Sequence, residues 1–202
     1  MANVSARNQT KDKPKNEQMK RNTFAVLIAT LLGAGTFLTA QEPQMPAPVK
    51  EHEWLQQFVG NWEYETEIFM DPTKPPMKVK GVEVVRSLGG FWIIAESKGE
   101  MMGKPFLGVL TLGFDPQAKK YVGTWTDSLG SYLWKYQGSV DSAGKTLTLE
   151  TEGPSPMNPS QLSKFRDVTE WKGKDDRVFT SSIQGDDGKW NMMVRVTSHR
   201  SK

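Results

Sequence analysis

Few residues in this chain have the type and spacing that catalysis or metal binding needs. Cysteine is absent, which excludes a disulfide framework, a thiolate metal site, a cysteine nucleophile and a lipid-modified N-terminal cysteine. The two histidines are His52, ahead of the first β-rich run, and His199, close to the C-terminus. His52 has the position of a helix-entry residue packed near Trp54. His199 is the one residue placed to be a late axial haem ligand, but Ser198, Arg200 and Ser201 offer no apolar haem wall, so it reads as a surface residue. With no acidic partners at ligand spacing, no metal and no cofactor is expected.

Two short patterns resemble catalytic motifs and fail on context. Gly144-Lys145-Thr146 ends like a phosphate-binding loop, but five residues separate it from Gly138 and the motif requires a strand followed by a helix. Ser142 and Lys145 have the spacing of some acyl enzymes, yet they fall in a turn between strands. No Gly-X-Ser-X-Gly elbow occurs. The polar cluster with most chemical content is Lys164-Phe165-Arg166-Asp167. Strand alternation separates Lys164, Arg166, Val168 and Glu170 from Phe165, Asp167, Thr169 and Trp171. If Phe165 points inward, Asp167 is an interior carboxylate and must find a partner, an inward Arg or a Tyr such as Tyr136. Asp167 is then either a polar anchor for a ligand or half of a fixed structural pair, and buried pairs commonly have no catalytic role.

Seven tryptophans are many for this length. Trp92, Trp125 and Trp134 fall mid-strand, and Trp125, Tyr132 and Trp134 sit on adjacent strands where same-face residues meet. The strand of Trp92 is apolar on both faces, so alternation does not decide where its ring points. Either these rings pack a core, or Trp92, Trp125, Tyr132 and Trp134 line a cavity, because a barrel of more than eight strands is wider than side chains readily fill. Met101-Met102 and Met192-Met193 are placed to line a mouth, although Met also fills gaps.

The elements that must position these groups are β-strands. Trp54, Leu55 and Phe58 have helical spacing, enough for one or two turns. After Gly60, short β-rich runs follow at regular intervals: Trp62–Phe69, Val79–Ser87, Phe91–Lys98, Phe106–Phe114, Tyr121–Thr126, Tyr132–Ser139, Thr146–Thr151, Ser163–Trp171, Arg177–Gln184 and Trp190–Ser198. Gly89-Gly90, Asp115-Pro116, Asp141-Ser142-Ala143-Gly144 and Asp186-Asp187-Gly188 supply turn chemistry. The three prolines of Gly153–Pro159 cannot donate to a ladder and mark a loop over one rim. An open meander of about ten strands would leave two bare edges, which closure removes. The expected fold is therefore all-β, one closed antiparallel meander barrel over 51–202 with a short N-terminal helix. Trp62, Tyr64, Thr66 and Ile68 should share its dry face, and Glu63, Glu65 and Glu67 its wet one.

Ahead of the barrel, residues 1–40 read as a secretory signal peptide: a basic stretch, an apolar run from Phe24 to Leu38 that is short for a membrane span, and Ala40 before a cut. Met19-Lys20-Arg21 would begin a signal of ordinary length, so Met19 is an alternative start. Residues 41–50 form a proline-rich linker. The expected location is periplasmic or secreted, with no stable membrane span after processing. The formal charge of +3 belongs to the export segment, since six of the 26 Lys and Arg and two of the 23 Asp and Glu precede Gln41. The remainder is about neutral and carries no electrostatic footprint for nucleic acid.

Gly60-Asn61-Trp62, after a helical turn and opening the first strand, resembles the Gly-X-Trp signature of the calycins. The resemblance implies that Trp62 closes the barrel base under a basic residue from the last strand, Arg195 or, as a substitute, Arg200. Glu51-His52-Glu53-Trp54-Leu55, Gly60-Asn61-Trp62-Glu63-Tyr64, Leu88-Gly89-Gly90-Phe91-Trp92, Thr111-Leu112-Gly113-Phe114-Asp115-Pro116, Gly123-Thr124-Trp125, Phe165-Arg166-Asp167-Val168 and Asp187-Gly188 resemble the bacterial family known as domain of unknown function 1579. That resemblance covers nearly all of the mature domain and implies the barrel but no activity.

Three function classes follow. The first is an exported barrel that binds an apolar or aromatic small molecule through Trp92, Trp125, Tyr132, Trp134 and Asp167. The second is an enzyme with Asp167 or Glu96 as an acid–base carboxylate at the barrel mouth, with no catalytic residue assigned. The third is a structural or protein-interaction module with a solid core, able to form a homodimer through an outer face.

Overall fold

The computed structural model describes residues 45–71 and 73–202. The expected signal peptide, 1–40, and residues 41–44 of the expected linker lie outside the described residues. Helix α1 (Lys50–Leu55) runs into a 3-10 turn (Gln56–Phe58), and ten strands follow: β1 (Gly60–Ile68), β2 (Met77–Leu88), β3 (Trp92–Met101), β4 (Lys104–Asp115), β5 (Lys120–Asp127), β6 (Trp134–Val140), β7 (Thr146–Pro154), β8 (Leu162–Trp171), β9 (Asp176–Gln184) and β10 (Trp190–Arg200). Every strand is antiparallel to its neighbours in sequence. β1 closes on β10 from Trp62 opposite Arg200 to Ile68 opposite Val194, so the ten strands form one closed barrel with no free edge. Among the described residues no helix is long and apolar enough to cross a membrane.

The period-two pattern sets the inner wall. On β1, Trp62 and Thr66 are buried, while Lys78 of β2 bridges Glu65 and Glu67 on the outside at 3.1 Å each. Boundaries differ from the sequence expectation at two informative places. β6 begins at Trp134, which leaves Tyr132 in the preceding loop. β10 continues past Ser198 to Arg200, so one more inward position exists than the sequence pattern marks.

A meander alternates its hairpins between two ends, and here the ends differ. At the base, α1 and the 3-10 turn enter the barrel and bury Leu55 and Phe58 against Trp62, Ile93, Leu112, Leu147 and Trp171. Side chains of the plug hold the base turns by their carbonyls. Gln56 donates to Gly90 O at 3.3 Å and Trp54 Nε1 to Gly144 O at 2.8 Å. His52 Nδ1 accepts the Val49 amide at 3.0 Å, so its Nε2 carries the proton and donates to Phe114 O at 3.0 Å. Both ring nitrogens of His52 are thereby occupied, as its place at the helix entry implies.

Trp62 is 1% exposed and donates Nε1 to Phe58 O at 2.8 Å. Two guanidinium groups lie over its ring, Arg200 at 4.2 Å and Arg177 at 4.4 Å. The expectation that Arg195 covers Trp62 is corrected. Arg195 is an outward residue of β10 opposite Glu67, whereas Arg200 lies directly across the ladder from Trp62 and has the inward parity of Ser198. Arg200 also donates to Val59 O at 2.7 Å, to Gln57 O at 2.9 Å and to Asp175 at 3.0 Å, tying the plug to the last strand. Gly60 makes this possible: its φ is +141°, and a Cβ there would stand 2.3 Å from Arg200 Nη1.

Candidate functional site: a cavity above the plug

Above the plug the barrel is not filled. A cavity of about 370 Å³ extends from Phe58, Leu112 and Leu147 at its floor to Met101 and Leu129 toward the open end. That volume is at the lower end of the range of about 300–1,000 Å³ usual for small-molecule sites. The rings explain why an aromatic-rich barrel stays hollow. Trp125 lies over Gly108, where a Cβ would be 2.2 Å from its ring, and Trp134 lies over Gly153 at the same 2.2 Å. Tyr64 covers Gly81 in the same way at 2.3 Å. Each ring lies along the wall on a neighbouring strand's backbone instead of crossing the lumen, so it encloses space without occupying it.

The polar groups are few. Glu83 of β2 and Arg177 of β9, separated on the ladder by β1 and β10, form a buried ion pair, with Ser97 Oγ donating to Glu83 at 3.0 Å and Arg177 stacked on Phe58 at 5.0 Å as well as on Trp62. This pair is compensated and stands at the junction of cavity and plug. Trp125 Nε1 donates to Asp127 at 2.8 Å, which fixes that ring, and Phe106 stacks on it at 6.4 Å.

Asp167 is different. It faces inward from β8 with Phe165, Thr169 and Trp171, is 7% exposed, and lines the cavity. Its Oδ1 is buried without a hydrogen-bond partner. Burial pushes its carboxyl up to about 6, against the opposing influence of the Ser181 and Tyr136 hydroxyls. Tyr136 is itself raised, by burial and then by the Asp167 charge. Among the described residues no arginine serves as the partner, because Arg177 is held by Glu83.

The residues singled out from the sequence divide. Trp125 and Asp167 both line the cavity. Trp134 faces inward opposite Trp125, but its ring packs on Gly153, on Phe165 at 5.0 Å and on Tyr132 at 5.1 Å, behind the cavity wall. Tyr132 lies in the β5–β6 loop and donates its hydroxyl to Glu152 O at 3.1 Å. Trp92 as a wall residue is a correction: its ring lies on the outer surface over Gly113, since the buried residues Ile93, Ala95 and Ser97 take the inner positions of β3. Glu96 has the same outward parity as Trp92, which removes it from the barrel interior. His199 is on the outer face and pairs with Asp176, which removes it from any interior haem site. Residues missed from sequence are Glu83, Arg177, Phe106 and Phe179. Alternation alone places Glu83 with Val79 and Val85, and Arg177 with Phe179 and Ser181.

Known proteins agree with the architecture. Rv2717c from M. tuberculosis is 13% identical and superposes with a TM-score of 0.51, covering 77% of this chain and 100% of that one. An S-type phycobiliprotein lyase, CPES from Guillardia theta, is 14% identical with a TM-score of 0.50, covering 77% of this chain and 99% of that one. At such identities the likeness extends to the fold. No curated protein sequence matches the chain. The family described as protein of unknown function (DUF1579) matches over residues 47–200, plug and barrel together, and the chain belongs to that family.

Proposed function

We propose that this chain is an exported barrel that holds a small apolar or aromatic molecule in the cavity above the plug. The observation that carries the reading is a buried carboxylate oxygen, Asp167 Oδ1, left without a partner in the wall of an otherwise largely apolar space. An unpaired buried acceptor costs free energy in the empty protein, and a ligand that donates to it recovers that cost. Trp125 and Asp167 are the contact residues, with Phe106, Phe179 and Tyr136 completing the wall and Trp134 and Tyr132 backing it. Another barrel of this fold is named a phycobiliprotein lyase, which fits a fold with room for a ligand. Export rests on the apolar run Phe24–Leu38 and on Ala40, and places the protein in the periplasm or outside the cell.

One observation favours a second reading. A carboxyl pushed up to about 6 inside a cavity is suited to proton transfer near neutral pH, so Asp167 is also the candidate acid–base group if the bound molecule is transformed.

Native mass spectrometry of protein purified from its own host tests the binding reading. A retained small-molecule mass is expected in the wild type and its loss in Leu149→Trp, which fills the cavity beside Asp167. Polypeptide mass alone in both, with no binding from a panel of fatty acids, isoprenoids and aromatic compounds, contradicts it. For export, the N-terminus of material recovered outside the cytoplasm should begin at or near Gln41. Intact cytoplasmic protein with residues 19–40 attached contradicts that part.

A further inference from the structure

The charges turned into the cavity do not balance. Four inward-facing side chains in its lining are ionisable carboxylates or guanidinium groups: Glu83, Asp127, Asp167 and Arg177. Lys80 and Glu100 border the space from strand positions of outward parity. Arg177 is ion-paired to Glu83 and stacked on both Phe58 and Trp62, so it is not available to another acid. Asp127 is satisfied by neutral donors, Trp125 Nε1 at 2.8 Å and the Leu129 amide at 2.9 Å. Asp167 lacks even that at Oδ1. Among the described residues, two carboxylates therefore face one cavity with no inward cation left to neutralise them.

The rest of the wall suits the opposite sign. Trp125 and Phe106 stack at 6.4 Å, and Tyr136 and Phe179 add further ring surface. A cation gains from ring faces and from a carboxylate in a poorly hydrated site, while its apolar body gains from burial. A neutral donor would satisfy Oδ1 and leave the charge unmatched. An anion would meet Asp127 and Asp167 together.

We infer that the occupant of this cavity is a small organic cation, an amine on an apolar or aromatic body, whose protonated nitrogen pairs with Asp167 while its body lies against Trp125 and Phe106. The inference rests on the cavity-binding reading and adds the charge of the ligand to it. It also carries a pH dependence. The groups around Asp167 are Tyr136 from β6, Ser181 from β9 and Leu149 from β7, with Glu83, Arg177 and Asp127 as the other charges of the cavity. Burial holds Asp167 up to about 6, so on acidification it becomes neutral and the bound nitrogen loses its counter-charge. A bound cation in turn keeps the carboxyl ionised and moves that midpoint lower.

Three probes of one shape decide the matter by calorimetric titration of the whole protein at pH 7.5: 1-naphthylmethylamine, 1-naphthalenemethanol and 1-naphthoate. The amine should bind about tenfold or more tightly than the alcohol, as a charge-assisted bond exceeds a neutral one, and the carboxylate should bind weakest. Asp167→Asn should bring amine and alcohol within about threefold, whereas Trp125→Leu should weaken both alike. If Asp167→Asn fails to give a cooperative melt, the wild type decides alone: the amine's advantage should fade as pH falls through about 6 while the alcohol's affinity stays level. Equal binding of amine and alcohol, or an amine preference that survives both Asp167→Asn and acid pH, overturns the cation and leaves the cavity reading standing. Binding by none of the three overturns both.

Discussion

The two ends of this barrel are built from the same alternating strands and come out as opposites. At the base, the plug brings Leu55 and Phe58 in from outside the meander, and the guanidinium groups of Arg177 and Arg200 lie over the Trp62 ring. Most polar atoms there find partners: His52 uses both ring nitrogens and Arg200 makes three hydrogen-bonded contacts. Toward the mouth, among the described residues, nothing comes in from outside, the rings lie flat over glycines, and Asp167 Oδ1 is left without a hydrogen-bond partner. The end turns follow suit. The base turns are short and held by the plug, whereas the mouth loops expose Met70, Met102, Leu129 and Met157. An inward alternation decides which side chains enter a barrel, and what a second element brings decides whether they make a core or a site.

The largest effect should come from the base. Trp62→Ala is expected to destabilise by about 3–5 kcal/mol through loss of a fully buried aromatic, with probe affinity per folded molecule little changed. Chemical denaturation and calorimetry on the same sample check both halves, and a large affinity loss would break the separation of the two ends.

Asp167→Asn should act in the opposite direction. The folded carboxyl is raised to about 6 from an unfolded value of 3.8, so the folded state holds its proton more tightly, and this group's contribution to stability falls as pH rises from about 4 to about 6. Above that window the ionised wild type carries a penalty on the order of 2–3 kcal/mol that asparagine removes. Unfolding free energies should therefore favour Asp167→Asn at pH 7.5 and converge near pH 4. Destabilisation by asparagine at pH 7.5 would mean that the carboxylate is a paired structural group.

Smaller effects sharpen the assignment of residues. Arg200→Ala should cost about 1–2 kcal/mol, and much of that should disappear in a Trp62→Ala background, as contacting residues couple. Arg195→Ala, on the outer face opposite Glu67, should stay within about 0.5 kcal/mol and show no coupling to Trp62. Equal coupling for both arginines would contradict the register of β1 on β10. Trp92→Leu and Trp125→Leu form the matching pair for the cavity, since the first alters the outer face and the second the lining. Affinity should fall in the second alone.

Much of this was legible in the residues. Glu63, Glu65 and Glu67 against Trp62, Tyr64 and Thr66 fix the faces of β1, and Phe165 carries Asp167 inward with it. Ten runs at regular spacing imply closure. Arg200 is the weaker candidate by sequence because the β-rich pattern fades at Ser198, while the ladder itself runs two residues further to pair with Trp62. Alternation does not place Trp92 because its strand is apolar on both faces, the outer one packing over Gly113. The Glu83–Arg177 pair spans 94 residues and reaches past the two strands β1 and β10, and no local pattern encodes such a meeting. Whether the lumen is hollow depends on rings settling over Gly108 and Gly153, which is a matter of side-chain packing after the register is set.

A ligand site in the mouth half of the barrel is tested most directly by one titration, the tryptophan emission of the wild type, Trp125→Leu and Trp92→Leu against fatty acids, isoprenoids, aromatic compounds and aliphatic amines. Such a site predicts that at least one class shifts or quenches wild-type emission saturably, that Trp125→Leu loses most of the response, and that Trp92→Leu keeps it. Unchanged emission across the whole panel, or a response lost with Trp92 and kept without Trp125, would contradict a ligand site in the mouth half of the barrel.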